Sequence, residues 1–148
     1  FAALPEAKLK PSDIVKISKR SLDIFERNKI EFLSSHPEIF VNLDRTQWVR
    51  VMTNLIQNGI QSVPIEANAK LKVEIKKLIT EVQIIFIDNG VGIPESIKDK
   101  IFEPKFTTKT KGMGLGLGIV KNIIDSHGGK INYSSSSKGT KFIITLKI

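Results

Sequence analysis

Between residues 44 and 63 the apolar positions Trp48, Val51, Met52, Leu55, Ile56, Ile60 and Val63 recur at helical spacing, and Pro64 closes the segment. A stripe of that period predicts an amphipathic helix. Asn54, Asn58 and Gln61 follow one another at four and three residues, so they share a different face of the same helix. Leu71, Val73 and Ile75 alternate with Lys72, Glu74 and Lys76, the period of a half-buried strand. Val82 to Ile87 is nearly all apolar, which predicts a central strand buried on both faces. Leu117 to His127 is a second clear helix, packed through Ile119, Val120, Ile123 and Ile124 and stopped by Gly128-Gly129. Ile131–Tyr133 and Lys141–Ile148 form a closing hairpin around a turn over Ser134 to Gly139. Short strands are expected near 29–34 and 39–43, and Ser12 is placed to cap a helix through Ile14, Ile17, Leu22 and Phe25. The sum is an α/β sandwich, with helices on one face of a sheet whose other face is more open to water. Residues 1–11, bracketed by Pro5 and Pro11, read as a lead-in, which leaves 12–148 as one domain.

Composition narrows the classes. A chain of 148 residues with 41% hydrophobic and 26% charged residues can bury a real core, so disorder is excluded. There is no cysteine, which removes disulfides and thiolate metal sites. No run of about 18 apolar residues exists to span a bilayer. The start, Phe1-Ala-Ala-Leu-Pro-Glu6, lacks the basic-then-apolar order of a signal peptide. A net charge of +8 raises nucleic acid as a partner. The lysines are spread along the chain, however, and the densest group is Lys98, Lys100, Lys105, Lys109 and Lys111. That group lies beside a glycine-rich stretch where a polyphosphate would also want positive charge, so nucleic acid is not expected.

Four boxes carry the chemistry. Asn54-Leu-Ile-Gln-Asn58 puts two amides mid-helix, where asparagine is a mediocre helix former. They make either a solvated polar stripe or a hard oxygen ligand set suited to Mg²⁺. Gly59 directly after them suggests that something approaches the helix closely. Asp88-Asn-Gly-Val-Gly92 ends the buried strand, as a tight turn or as a carboxylate poised for an exocyclic amine with Gly90 and Gly92 against a planar base. Phe102 and Phe106 read first as core anchors, and Thr107, Thr108 and Lys109 could reach phosphates from a closing flap. Gly112, Gly114, Gly116 and Gly118 match neither the dinucleotide fingerprint nor a Walker loop. They read as a flexible segment feeding a helix N-terminus that suits phosphate. His36 reads as a surface residue, and His127 as a partial positive charge at a helix C-terminus.

In that order and spacing the boxes resemble those of the GHKL ATPase superfamily, specifically the catalytic ATP-binding domain of bacterial two-component sensor histidine kinases. Asn54–Asn58 resembles the N box, Asp88-Asn-Gly-Val-Gly-Ile93 the first glycine box, and Phe102–Lys109 the F box of the nitrogen-regulation type. Gly112-Met-Gly-Leu-Gly-Leu-Gly-Ile-Val120 resembles the second glycine box. The resemblance implies a Bergerat fold: a two-layer α/β sandwich with a mixed, mostly antiparallel sheet and helices on one face. It implies ATP and Mg²⁺ as cofactors. Asn58 would hold Mg²⁺ with Asn54 beside it, and Asp88 would bind the adenine amine with Gly90, Gly92 and Ile93 around the base. Phe102, Thr107, Thr108, Lys109, Gly112, Gly114, Leu115, Gly116 and Leu117 would complete the ATP site and its lid. Gln61 stands where many members place a phosphate-contacting lysine, and Lys109 is expected to supply that charge instead.

Other branches of the superfamily hydrolyse ATP with a glutamate one turn before the metal asparagine. Asn54 stands there, and an amide cannot act as a general base. Transfer to an external acceptor is therefore the expected chemistry, with the hydrolytic branches and an anti-sigma-type serine kinase as alternatives. Neither His36 nor His127 fits the phosphoacceptor, so no catalytic residue is assigned within this chain. The expected partners are ATP, a dimerisation and phosphoacceptor domain of the same kinase, for which residues 1–11 would be the linker, and a downstream response regulator. The expected location is cytoplasmic, with anchoring of the parent protein in the inner membrane left open.

Overall fold

The computed structural model describes residues 5–103 and 113–148, with side chains in the second stretch from residue 116 onward. Strands β1 (Lys10–Asp13) and β3 (Phe40–Leu43) pair antiparallel as a small two-stranded sheet. Strands β2 (Ile30–Ser34), β4 (Leu71–Lys77), β5 (Glu81–Asp88), β6 (Lys130–Ser136) and β7 (Gly139–Lys147) form the main sheet in the order β2-β4-β5-β7-β6. Only the β2–β4 pair is parallel; the other three are antiparallel. Helices α1 (Ile14–Arg20), α2 (Arg45–Gln61) and α3 (Met113–Ser126) cover one face. The expected sandwich with a mixed, mostly antiparallel sheet is what forms.

The alternation on β4, β5 and β7 decides which face is covered. Val73, Ile75, Val82, Ile84, Phe86, Ile144 and Leu146 point into the core with Trp48, Met52, Ile56, Val120 and Ile123. The opposite face carries Lys72, Gln83, Ile85, Ile87 and Lys141. There the expectation for β5 fails: Ile85 is buried among its strand neighbours, but Ile87 is 37% exposed. An apolar run does not need cover on both sides when strands flank it and long lysines lean over it.

Local chemistry fixes the ends of the elements. Asp44 caps α2 by accepting the Gln47 N–H at 3.1 Å. The cap of α1 is Asp13, not Ser12: Asp13 Oδ1 accepts from Val15 N–H at 3.1 Å and from Ile39 N–H at 3.2 Å. Ser12 is instead buried in β1, and Lys10 and Pro11, read as lead-in, already pair with Leu43 and Asn42. Helix α1 stops at Arg20 and continues as a 3-10 turn over Ser21–Ile24. Helix α2 ends at Gln61 with Ser62 as its cap, before Pro64 is reached. The β6–β7 turn is two residues, Ser137 and Lys138, so Ser134, Ser135 and Ser136 belong to β6 rather than to the turn.

The largest revision concerns α3. It begins at Met113, so Gly114, Gly116 and Gly118 lie within a helix rather than in a flexible segment ahead of one. Gly128, at φ +71, ends the helix in the left-handed conformation, and Gly129 N–H returns to Ile124 O at 3.0 Å.

Candidate functional site

Helix α2 is pressed onto the sheet at Gly59. A Cβ there would stand 2.9 Å from Leu71 Cδ2 and 3.3 Å from the Asp88 Cβ. The close approach expected at Gly59 is therefore made by the protein's own sheet, and it sets the residue after Asn58 directly against Asp88.

Asp88, the last residue of β5, is held from several sides. Its Oδ1 accepts from Gly90 N–H at 2.9 Å and from Thr140 N–H at 3.1 Å, and the Ser62 hydroxyl, which donates to Gly59 O at 2.8 Å, stands close enough to favour the charged carboxylate. Burial raises its pKa above the ordinary 3.8, against the opposing pull of those hydrogen bonds. A desolvated carboxylate in a fixed orientation can discriminate an amine from a carbonyl on a ligand edge.

Gly90 and Gly92 also serve the chain's own packing. A Cβ on Gly90 would collide with the Ser62 side chain, and one on Gly92, at φ +85, with the Ser136 carbonyl. Both glycines are required by the chain itself, which folds the loop after β5 against the end of α2 and the β6–β7 hairpin. Ile93 is buried and gives its N–H to Ser135 Oγ at 2.7 Å.

The two asparagines are not a solvated stripe. Asn58 is only 8% exposed. Asn54 is half-buried, and among the described residues its Nδ2 is a buried donor without an acceptor. What covers them is α3: a Cβ on Gly116 would lie 3.5 Å from Asn58 Nδ2 and 3.7 Å from Asn54 Cγ. The N box and the second glycine box thus meet at Gly116, a position of α3 that presents no side chain. An orphaned amide N–H beside a bare helix turn suits a phosphate oxygen, and the neighbouring amide oxygen suits a hard cation.

The remaining expectations divide. Leu117 is 1% exposed and belongs to the core. Phe102 is half-buried, with ring centroids 5.9 Å from Tyr133 and 6.5 Å from Phe142 in edge-to-face contact, the core-anchor reading. Gly114 and Leu115 lie on the α3 backbone. Thr107, Thr108, Lys109 and Gly112 lie outside the described residues.

Three contributors escaped the motif reading: Ser62, Ser135 and Thr140. Thr140 stands on the inward-facing side of β7, in series with Phe142, Ile144 and Leu146, and is buried. Its hydroxyl is 3.0 Å from that of Ser135 across the β6–β7 ladder. A polar residue at an inward position of an otherwise apolar strand was the available signal. His127 does more than end α3: its Nε2 accepts the Asp44 N–H at 3.1 Å.

Comparison with known proteins follows the same lines. The family described as histidine kinase-, DNA gyrase B-, and HSP90-like ATPase matches residues 43–148. The sensor protein TdiS of Thauera aromatica is 33% identical over 140 residues, 89% of this chain and 25% of that protein. A putative sensor histidine kinase, NtrY-like, of Rickettsia felis is 33% identical over 142 residues, 91% of this chain and 23% of that protein. The chain therefore spans about a quarter of the length of these relatives. Among solved structures, the catalytic domain of histidine kinase ThkA superposes with TM-score 0.82 at 34% identity, over 95% of each chain. ThkA in complex with the response regulator protein TrrA matches with TM-score 0.77 at 31% identity, over 95% of this chain and 42% of that one.

Proposed function

The chain belongs to the histidine kinase-, DNA gyrase B-, and HSP90-like ATPases, as an ATP-binding catalytic domain of the histidine kinase type, and from that premise we propose how its residues serve a phosphotransfer reaction. Asp88 takes the adenine amine, with Gly90, Gly92, Ile93 and Thr140 shaping the base side. Asn54 and Asn58 face the polyphosphate, with Gly114, Leu115, Gly116 and Leu117 on the helix beside it. Mg²⁺ would be held by the Asn58 amide oxygen and would neutralise phosphate charge. Phe102 anchors the start of the lid, and Thr107, Thr108, Lys109 and Gly112 supply its phosphate contacts.

The observation that carries this reading is the continuity of the site. Gly116 meets Asn54 and Asn58, and Gly59, next along α2, meets Asp88. A base end and a phosphate end are thus joined by one helix. Phosphoryl transfer needs positioning and charge neutralisation more than covalent chemistry by the protein. An amide at Asn54 cannot act as the base that would activate water from that position. The γ-phosphate then goes to a histidine on a separate dimerisation domain and onward to a response regulator. The ThkA–TrrA complex supports that kind of partner by similarity. The same reading places the domain in the cytoplasm; among the described residues no helix is long and apolar enough to cross a membrane.

Calorimetric titration with ATP and GTP, with and without Mg²⁺, tests the proposal. ATP should bind with a dissociation constant between about 1 μM and 1 mM, that is about −8 to −4 kcal/mol. GTP should bind far more weakly, and the isolated chain should neither hydrolyse ATP at an appreciable rate nor carry phosphate on histidine. Equal affinity for the two nucleotides, or stable label on His36 or His127, would overturn it.

A further inference from the structure

Helices α2 and α3 run antiparallel, and the start of α2 is fastened to the end of α3. Asp44 gives its backbone N–H to His127 Nε2 at 3.1 Å, and His127 Nδ1 lies 2.8 Å from Ile123 O. A ring nitrogen that accepts from a backbone N–H carries no proton. The geometry therefore assigns the proton to Nδ1, donated to Ile123 O, and holds the ring in one tautomer. The Asp44 carboxylate accepts the Gln47 N–H at 3.1 Å and, from the lead-in, the Lys8 N–H at 2.9 Å. Gln47 Nε2 reaches back to Pro5 O at 2.9 Å. Three segments meet at one residue: the chain at 5–8, the first turn of α2 and the last turn of α3.

At the far end of the same helix pair, Gly116 faces Asn54 and Asn58. From Gly116 to His127 the helix is about 16 Å long at 1.5 Å per residue. A rotation of about 5° about the fastened end would move the glycine end by about 1.4 Å, and misplacement of about 1 Å is enough to spoil a reacting geometry. Shared core packing alone tolerates small swings of one helix over another. The two hydrogen bonds through one imidazole do not, because they fix both the distance and the direction between Asp44 and the last turn of α3.

We infer that His127 and Asp44 are positioning residues for the polyphosphate end of the site, and that the segment at residues 5–8 sets their clasp. This rests on the ATP-site reading above. The clasp acts through α3 and Gly116, whereas the base side rests on Asp88, Ser62 and Thr140, which belong to other elements. The consequence is selective: loosening the clasp weakens the grip on phosphates and spares the grip on the base.

The test titrates the chain separately with ATP and with adenosine, which engages only the base side. His127→Phe should lower ATP affinity about tenfold while adenosine affinity stays within about twofold. His127→Gln, whose side-chain carbonyl can take the Asp44 N–H, should recover most of the ATP affinity. Lys8→Pro removes one donor to Asp44 and should lower ATP affinity in the same direction, about threefold. Equal losses for ATP and adenosine would show that the clasp supports only the fold, and unchanged ATP affinity would show that it positions nothing; either overturns the inference. The imidazole nitrogen NMR shifts of His127 read the tautomer without nucleotide, and a proton on Nε2 would overturn the geometry. A wild type that binds neither ligand would refute the nucleotide reading itself, a result distinct from a wild type that binds both beside a variant that does not differ.

Discussion

The two ends of the α2–α3 pair are built on opposite principles. At the clasped end Asp44, His127 and Gln47 exchange hydrogen bonds with backbone groups of three segments, and among the described residues only Gln47 Oε1 is left buried without a partner. At the other end Asn54 Nδ2 lacks an acceptor, α3 carries glycines where alanine would stabilise it, and Asp88 is desolvated enough to raise its pKa. One end is arranged to stay put. The other keeps polar groups in waiting, and a buried polar group without a partner costs stability. Such local cost is expected where a site must be ready for a ligand.

Substitutions should separate the two ends. The largest effect on stability is expected where both share a support. Trp48 is fully buried on α2 and donates Nε1–H to Ser18 Oγ at 2.9 Å. Trp48→Ala should cost about 3–5 kcal/mol in chemical denaturation, enough to unfold much of the population and abolish the contrast. At the site end, Asp88→Asn should keep the fold, since an amide oxygen can still accept from Gly90 and Thr140. It should weaken ATP by about 1.5–3 kcal/mol, the range of a hydrogen bond to a charged group, in calorimetry. At the clasped end, Asp44→Ala should cost about 1 kcal/mol of stability through loss of the α2 cap, read as a lowered melting temperature.

The smallest effects sharpen the contrast. Asn54→Leu should leave stability within about 0.5 kcal/mol of the wild type or raise it, while weakening ATP, because it removes a donor that is unsatisfied without ligand. A drop well beyond that range would mean that Asn54 is structural. The pH dependence follows from Asp88. Its folded pKa is raised, so the proton is taken up at a pH above 3.8 as the solution is acidified. ATP affinity should therefore begin to fall above that pH, while protonation relieves a desolvation cost and does not itself destabilise the fold. Asp44 has the opposite sign. The N–H groups of Lys8 and Gln47 lower its pKa, so its contribution to stability is present above 3.8 and is lost only as pH falls through the lowered value. Affinity that falls only together with the unfolding signal would contradict this separation.

Much of the molecule was legible in the chain because its signals are local. The apolar stripe of α2, the alternation of β4 and the glycine stop after α3 each depend on neighbours a few residues away, and each formed within a few residues of its predicted place. The boxes were legible because their residue types are unusual for their positions, as asparagine in mid-helix and a carboxylate at the end of an apolar strand are. Helix boundaries were less so. Glycines ahead of a helical pattern read as a loop, but Gly114, Gly116 and Gly118 all lie within α3, where Gly116 packs against Asn54 and Asn58.

What the sequence by itself determined was the inventory: the elements, the two-layer class, and the residues with chemistry to offer. Tertiary structure alone decided who meets whom. Gly90 and Gly92 proved to be demanded by Ser62 and Ser136 of other elements, Gly59 by Leu71 and Asp88, and His127 Nε2 meets a backbone N–H 83 residues away. Periodicity reports whether a side chain faces inward. Which partner it finds there depends on how the layers close, and that is fixed by contacts distant in sequence, which local pattern does not encode.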